Sequence, residues 1–180
     1  MANFVRRLKH LIMKKTILII AAIITATRAN SQTGISQKDK DFIKEAGEGG
    51  LMEVKLGELA QSKGTSSAVM NLGKTMVEDH TKANNELKQL ASSKNISFPT
   101  ALSEKGQKAY DKLSKKEGKA FDKAYTHCMV KDHKKDICEF KKEAKKGDDK
   151  EVKTWASNLV SSLEHHKEMA KDACKSVRKS

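Results

Sequence analysis

One proline, one tryptophan, two tyrosines and five phenylalanines are spread over 180 residues. So few aromatics, without sustained β-branched runs beside them, exclude the core of a β-sandwich or barrel. The sequence holds no glycine-rich phosphate loop, no serine–histidine–aspartate elbow and no paired-carboxylate hydrolase pattern. No residue is therefore assigned a catalytic role, and the chain reads more readily as a binding or structural protein than as an enzyme. Three cysteines, Cys128, Cys138 and Cys174, form no CxxC or zinc-type spacing. Basic and aromatic residues are not interleaved as nucleic-acid modules require, so no nucleic-acid partner is expected. What the chain has in quantity is Lys, Glu, Ala and Leu, a helix-forming composition.

The first 31 residues stand apart. Met13-Lys14-Lys15-Thr16 leads into an apolar stretch from Ile17 to Ile24, followed by Ala29-Asn30-Ser31 and Gln32. A charged start, a short apolar middle and small residues at −3 and −1 make a secretory signal peptide over 1–31. Met13 is a candidate true start, with 1–12 an upstream extension. The apolar run is too short for a stable membrane span. No cysteine follows it for a lipid anchor; the competing reading is a retained N-terminal anchor. The expectation is an exported protein, periplasmic or associated with the outer membrane. It would have one domain over 35–178 and no transmembrane span once the leader is gone. Oligomeric state leaves no mark in the sequence. Six of the 36 Lys and Arg residues, and none of the 23 acids, fall in the leader; the remainder carries 30 against 23, a net +7. That excess would suit contact with anionic envelope components, although lysines on every helix also describe an ordinary solvated surface.

Helical periodicity accounts for nearly everything after the leader. A first helix over 38–62 has the inward line Phe42, Ala46, Gly49, Glu53, Gly57, Ala60, small enough to let a neighbour come close. A second over 67–93 carries Val69, Leu72, Met76, His80 and Leu87 on its seam. A connection of about 24 residues follows, holding Pro99 and a short helix over 103–113. The third main helix, 117–146, has the seam Phe121, Tyr125, Met129, His133, Ile137, Phe140. The fourth, 150–177, has Val152, Ala156, Leu159, Leu163, His166, Ala170. Short links within each pair and a long crossover between the pairs predict an all-α, ferritin-like four-helix bundle. The alternative is a plain up-down bundle with a loose middle loop. One echo crosses the chain: Met76-Val77-Glu78-Asp79-His80-Thr81-Lys82 recurs as Met129-Val130-Lys131-Asp132-His133-Lys134-Lys135. It implies two related hairpin halves, or one local demand met twice.

Each main helix places one polar side chain near the middle of its seam: Glu53, His80, His133 and His166. Helix midpoints share a level, so the four should converge in one core layer. Burying them unpartnered would cost a few kcal/mol each, roughly, and more for a charge. A transition metal (Fe, Mn, Zn or Cu) would satisfy them. Asp79 and Asp132 precede their histidines, point about 100° away and are candidates to orient the ligands from behind. The competing reading is a metal-free hydrogen-bonded layer that sets helix register. A di-iron centre would need Glu three residues before His; Val77, Val130 and Leu163 stand there instead, so the pattern favours a mononuclear site. His127 and His165 fall off the seams. Cys128 and Cys138 are about 15 Å apart along one helix and cannot pair. Cys128 and Cys174 differ in level by roughly 4.5 Å and are a candidate disulfide if their faces agree.

At these residues the chain resembles a known family. Phe42-Ile43-Lys44-Glu45-Ala46, Gly49-Gly50-Leu51-Met52-Glu53-Val54, Met76 to Asn84, Met129 to His133 and His166-Lys167-Glu168-Met169-Ala170 are similar to the bacterial exported family catalogued as domain of unknown function 4142. The resemblance covers about 38–174. It implies a ferritin-like fold and export, and His166 matches that family's helix-4 histidine. It implies no activity. The family's frequent outer-membrane label does not mean a barrel, because the sequence has no strand periodicity.

Overall fold

The computed structural model describes residues 34–179. The leader expected over 1–31 lies outside them. Five helices follow in order: α1 Gln37–Lys63, α2 Ser67–Ser93, α3 Glu104–Ser114, α4 Gly118–Lys146 and α5 Lys150–Lys179. No strand occurs among the described residues, and none of their helices is long and apolar enough to cross a membrane. Each boundary has a local cause. Ser36 Oγ accepts from Asp39 N at the start of α1, and Ser103 Oγ accepts from Gly106 N at the start of α3. Gly118 takes a left-handed backbone, φ 54°, where α3 turns into α4.

Three-residue links at 64–66 and 147–149 make α1/α2 and α4/α5 antiparallel hairpins. Between the hairpins, Phe42 meets Phe140 while Glu53 meets His133, so α1 and α4 also run antiparallel. Asp79 meets His166 while Lys94 reaches Asp149, so α2 and α5 do the same. The crossover at 94–117 contains α3, which packs on α1 and α4. This is the ferritin-like arrangement.

Small residues set the spacing of the first hairpin. A Cβ on Gly57 would lie 2.7 Å from Gly73 O, and one on Gly73 would lie 2.7 Å from Gly57 O. The two backbones therefore touch, as the small inward line of α1 predicts. Two buried carboxylates then lock the hairpins to each other. Asp39, at the start of α1, accepts from Asp148 N (3.0 Å) and Asp149 N (2.8 Å) in the α4–α5 link. Asp122, at the start of α4, accepts from Thr65 N (3.1 Å) and Ser66 N (2.9 Å) in the α1–α2 link. Each holds the link just ahead of the next helix, and Asp149 itself caps α5 by accepting from Glu151 N and Val152 N.

These locks match α1 with α4, the pairing that two equivalent hairpins require. The repeated Met-Val-x-Asp-His instead matches α2 with α4, the second helix of one hairpin with the first of the other. The echo therefore does not align the two hairpins as equivalent halves.

Apolar packing fills the bundle on both sides of the polar layer. Leu56, Leu72, Met76, Phe121, Tyr125 and Met129 form one cluster. Ile43, Leu87 and Val152 lie at the opposite end. Ile137, Phe140, Ala156 and Leu163 join α4 to α5 there.

Candidate metal centre

Glu53, His80, His133 and His166 are all buried and do meet at one level, one from each main helix. The three imidazoles form a triangle with centroids 5.3–5.6 Å apart. One nitrogen from each ring can be chosen so that all three lie within 4.8 Å of one another. Glu53 stands beside this group, not in it.

The hydrogen bonds decide which nitrogen each ring keeps free. His133 Nδ1 lies 3.0 Å from the Met129 carbonyl oxygen, one turn back along α4. A carbonyl only accepts, so Nδ1 carries the proton and Nε2 keeps its lone pair. His166 Nε2 lies 2.8 Å from Asp79 Oδ2 and 3.4 Å from Ser162 Oγ. Its proton goes to the carboxylate, which leaves Nδ1 bare. His80 Nδ1 faces Glu53 Oε2 at 3.1 Å, and His80 Nε2 is buried with no partner. Asp79 and the Met129 carbonyl thus accept from His166 and His133, and the Glu53 carboxyl stands against Nδ1 of His80.

Burial keeps the rings neutral. It lowers His80 well below its ordinary value, and His133 and His166 act in the same direction. Burial and then His166 bring His133 down to about 4, against the pull of the Met129 carbonyl. His166 is lowered by burial, with Asp79 opposing. Near neutral pH, neither His133 nor His166 has a proton to give the other, yet His133 Nε2 and His166 Nδ1 face each other at 3.3 Å. Two lone pairs at that distance repel unless a cation lies between them. Burial, reinforced by Asp136 and Asp132, raises the Glu53 carboxyl well above the carboxylate range. Its Oε1 has no hydrogen-bond partner.

Beside the layer, a cavity of about 320 Å³ reaches His80, His166 and Glu53 from the side of α1, α4 and α5. Small residues open it: Gly49 on α1, with nothing within 4 Å of where a Cβ would stand, and Ala83 on α2 lie along its wall.

The two aspartates of the repeat are not equivalent. Asp79 orients His166, a histidine of another helix. Asp132 instead accepts from the Cys128 thiol at 3.1 Å and lines the cavity, making no hydrogen bond to the imidazoles. Cys128, Cys138 and Cys174 are all free thiols, so the bridge considered between Cys128 and Cys174 is not formed. Similar level was insufficient, because the side chains have other neighbours. Cys128 turns along its own helix to Asp132, while Cys174 Sγ sits 3.9 Å from His127 Nε2. Burial and Asp132 push the Cys128 thiol up to about 12. His127 and His165 are exposed. Tyr125 is a core aromatic, stacked on Phe121 at a centroid distance of 6.0 Å.

The arrangement defines the class: a ferritin-like four-helix bundle with a buried histidine cluster that could hold a metal ion. Residues 24–173 match the family described as a domain of unknown function, DUF4142, and the chain belongs to that family. Among solved structures it is similar to a crystal structure of a DUF305 fragment from Deinococcus radiodurans, with a TM-score of 0.69 and 9% identity over 79% of this chain and 98% of that one. At that identity the likeness concerns the fold alone. No curated protein matches the chain.

Proposed function

We propose that this protein binds one transition-metal ion in its core through His80 Nε2, His133 Nε2 and His166 Nδ1. The observation that carries the reading is the facing pair of bare nitrogens on His133 and His166, 3.3 Å apart in the buried centre of the bundle. Two imidazoles bound at about 2.0–2.1 Å in a tetrahedral shell stand about 3.3 Å from each other. His80 Nε2, unpartnered and within 4.8 Å of the other two, needs only a small approach to complete a three-nitrogen set.

Neutral imidazoles suit Zn, Cu or Fe and disfavour Mg and Ca. Glu53 and Asp79 would act on the metal through His80 and His166, fixing each ring's tautomer and raising its basicity. This gives Glu53 an orienting role in place of the ligand role its seam position first indicated. A coordination position facing the cavity would remain for water or a small ligand.

The reading extends to export, supported by the charged, apolar and small-residue pattern of 1–31. Intact-mass measurement on the envelope fraction tests that part; a chain still carrying 1–31 would contradict it. The metal reading is tested by zinc and copper titration of chelator-treated protein. Wild type should take up one ion per chain and His133→Ala none. Equal uptake by both proteins would sink the assignment.

A further inference from the structure

The cavity beside the histidines has a charge opposite to that of the chain around it. Its wall carries seven acidic side chains and two lysines, although the chain beyond the leader is net basic; burial pushes two of the seven up, Glu53 well above the carboxylate range and Asp136 to about 7. Lys135 is held by Glu139 at 2.8 Å, and Asp79 is held by His166. Glu45, Glu53, Asp132 and Asp136 form no salt bridge with any lysine or arginine among the described residues, and Lys105 is the remaining cation on the wall.

Clustered carboxylates alone would be an ordinary solvated patch. Here one of them is Glu53, 2% exposed, whose Oε1 makes no hydrogen bond, with His133 Nδ1 standing 3.4 Å away. A buried acceptor left without a donor costs about 1–3 kcal/mol, and a ligand N–H entering the cavity would remove that cost. One side of the wall is apolar. Ala46, Leu159 and Leu163 lead from the Glu53 level towards Phe42, Phe140 and Trp155, whose rings pack against one another at 5.1–6.3 Å. Phe42 and Glu53 are eleven residues apart on α1, which sets a long axis of about 16 Å at 1.5 Å per residue. A volume of about 320 Å³ lies in the roughly 300–1,000 Å³ range of small-molecule sites. It exceeds what a single hydrated ion fills.

We propose that this cavity binds a small organic ammonium ion, its charged head among Glu53, Asp132 and Asp136 and its apolar body along Leu159 and Leu163 towards Phe140 and Trp155. The site borders His80 and His166 but uses none of the three ring nitrogens, and it stands whether or not they hold a metal.

The test is calorimetric titration of the chelator-treated full chain with hexylammonium chloride and with 1-hexanol, its neutral counterpart. One hexylammonium should bind per chain, at least about tenfold more tightly than the alcohol, a difference of about 1.4 kcal/mol. Glu53→Gln and Asp136→Asn should each weaken it about fivefold or more. Asp136→Asn should still take up zinc, which separates this site from the metal reading. No binding up to about 10 mM, equal affinity for the alcohol, or unchanged affinity in both variants would overturn the proposal. So would displacement by equimolar magnesium, which would assign the carboxylates to an inorganic cation.

Discussion

His133→Gln probes the energetic cost of keeping an imidazole neutral at the centre of the bundle. His133 is fully buried, and burial and then His166 depress it from 6.5 to about 4. The folded state therefore resists a proton that the unfolded chain accepts. The resulting stability is fully present above about 6.5 and is lost as the pH falls to about 4. At 1.36 kcal/mol per unit, that loss is about 3 kcal/mol. Glutamine has a similar reach, retains an N–H for the Met129 carbonyl and does not titrate. Urea unfolding, followed by circular dichroism with a chelator present, should be compared at pH 7 and pH 4. The wild type should lose about 3 kcal/mol more than the variant over that interval. His133 also helps lower His80, so the variant eases the His80 titration as well, which adds to the difference in the same direction. Equal losses in wild type and variant would refute the claim that His133 is held neutral by burial.

Glu53 titrates with the opposite sign: its raised folded value gives a contribution present below about 4.5 and lost as the pH climbs through that raised value. Metal-free Glu53→Gln should accordingly lose less melting temperature than wild type between pH 6 and pH 9; a parallel fall would contradict this. Asp79→Asn weakens the acceptor behind His166, and chelator competition should show zinc affinity reduced roughly 10–100-fold. Its circular dichroism should not change, since the Asp79 side chain is 48% exposed. Gly57→Ala should destabilise despite a helix-propensity gain of about 1 kcal/mol, because the new Cβ meets Gly73 O at 2.7 Å and such overpacking costs about 1–3 kcal/mol. Gly49→Ala, with nothing within 4 Å of its Cβ, should stabilise by up to about 1 kcal/mol; the same sign of change at both positions would be the wrong outcome.

The bundle was legible because its signals are local. Seam periodicity, and short links against one long crossover, determine the helices and their directions. The level shared by Glu53, His80, His133 and His166 followed from helix midpoints alone. The division of labour within that layer did not, because it depends on which ring nitrogen meets which acceptor across helices. Asp79 precedes His80 in sequence yet serves His166, a pairing no spacing rule reveals. Asp39 and Asp122 look like ordinary acids near the starts of α1 and α4; their partners are links 56 to 110 residues away. Asp136 escaped notice for a related reason. It lies one turn after Asp132 on the same face, but the sequence does not show that α1 and α5 leave a cavity there. The Cys128–Cys174 pairing failed because level was used without direction.

The central claim is that three neutral ring nitrogens in the core hold one metal ion. Elemental analysis of untagged protein, as purified and after reconstitution with zinc or copper followed by desalting, tests it most directly. The account predicts one equivalent of transition metal per chain, lost in His133→Ala. Less than about a tenth of an equivalent in reconstituted wild type would contradict it and leave the layer as a metal-free device for helix register.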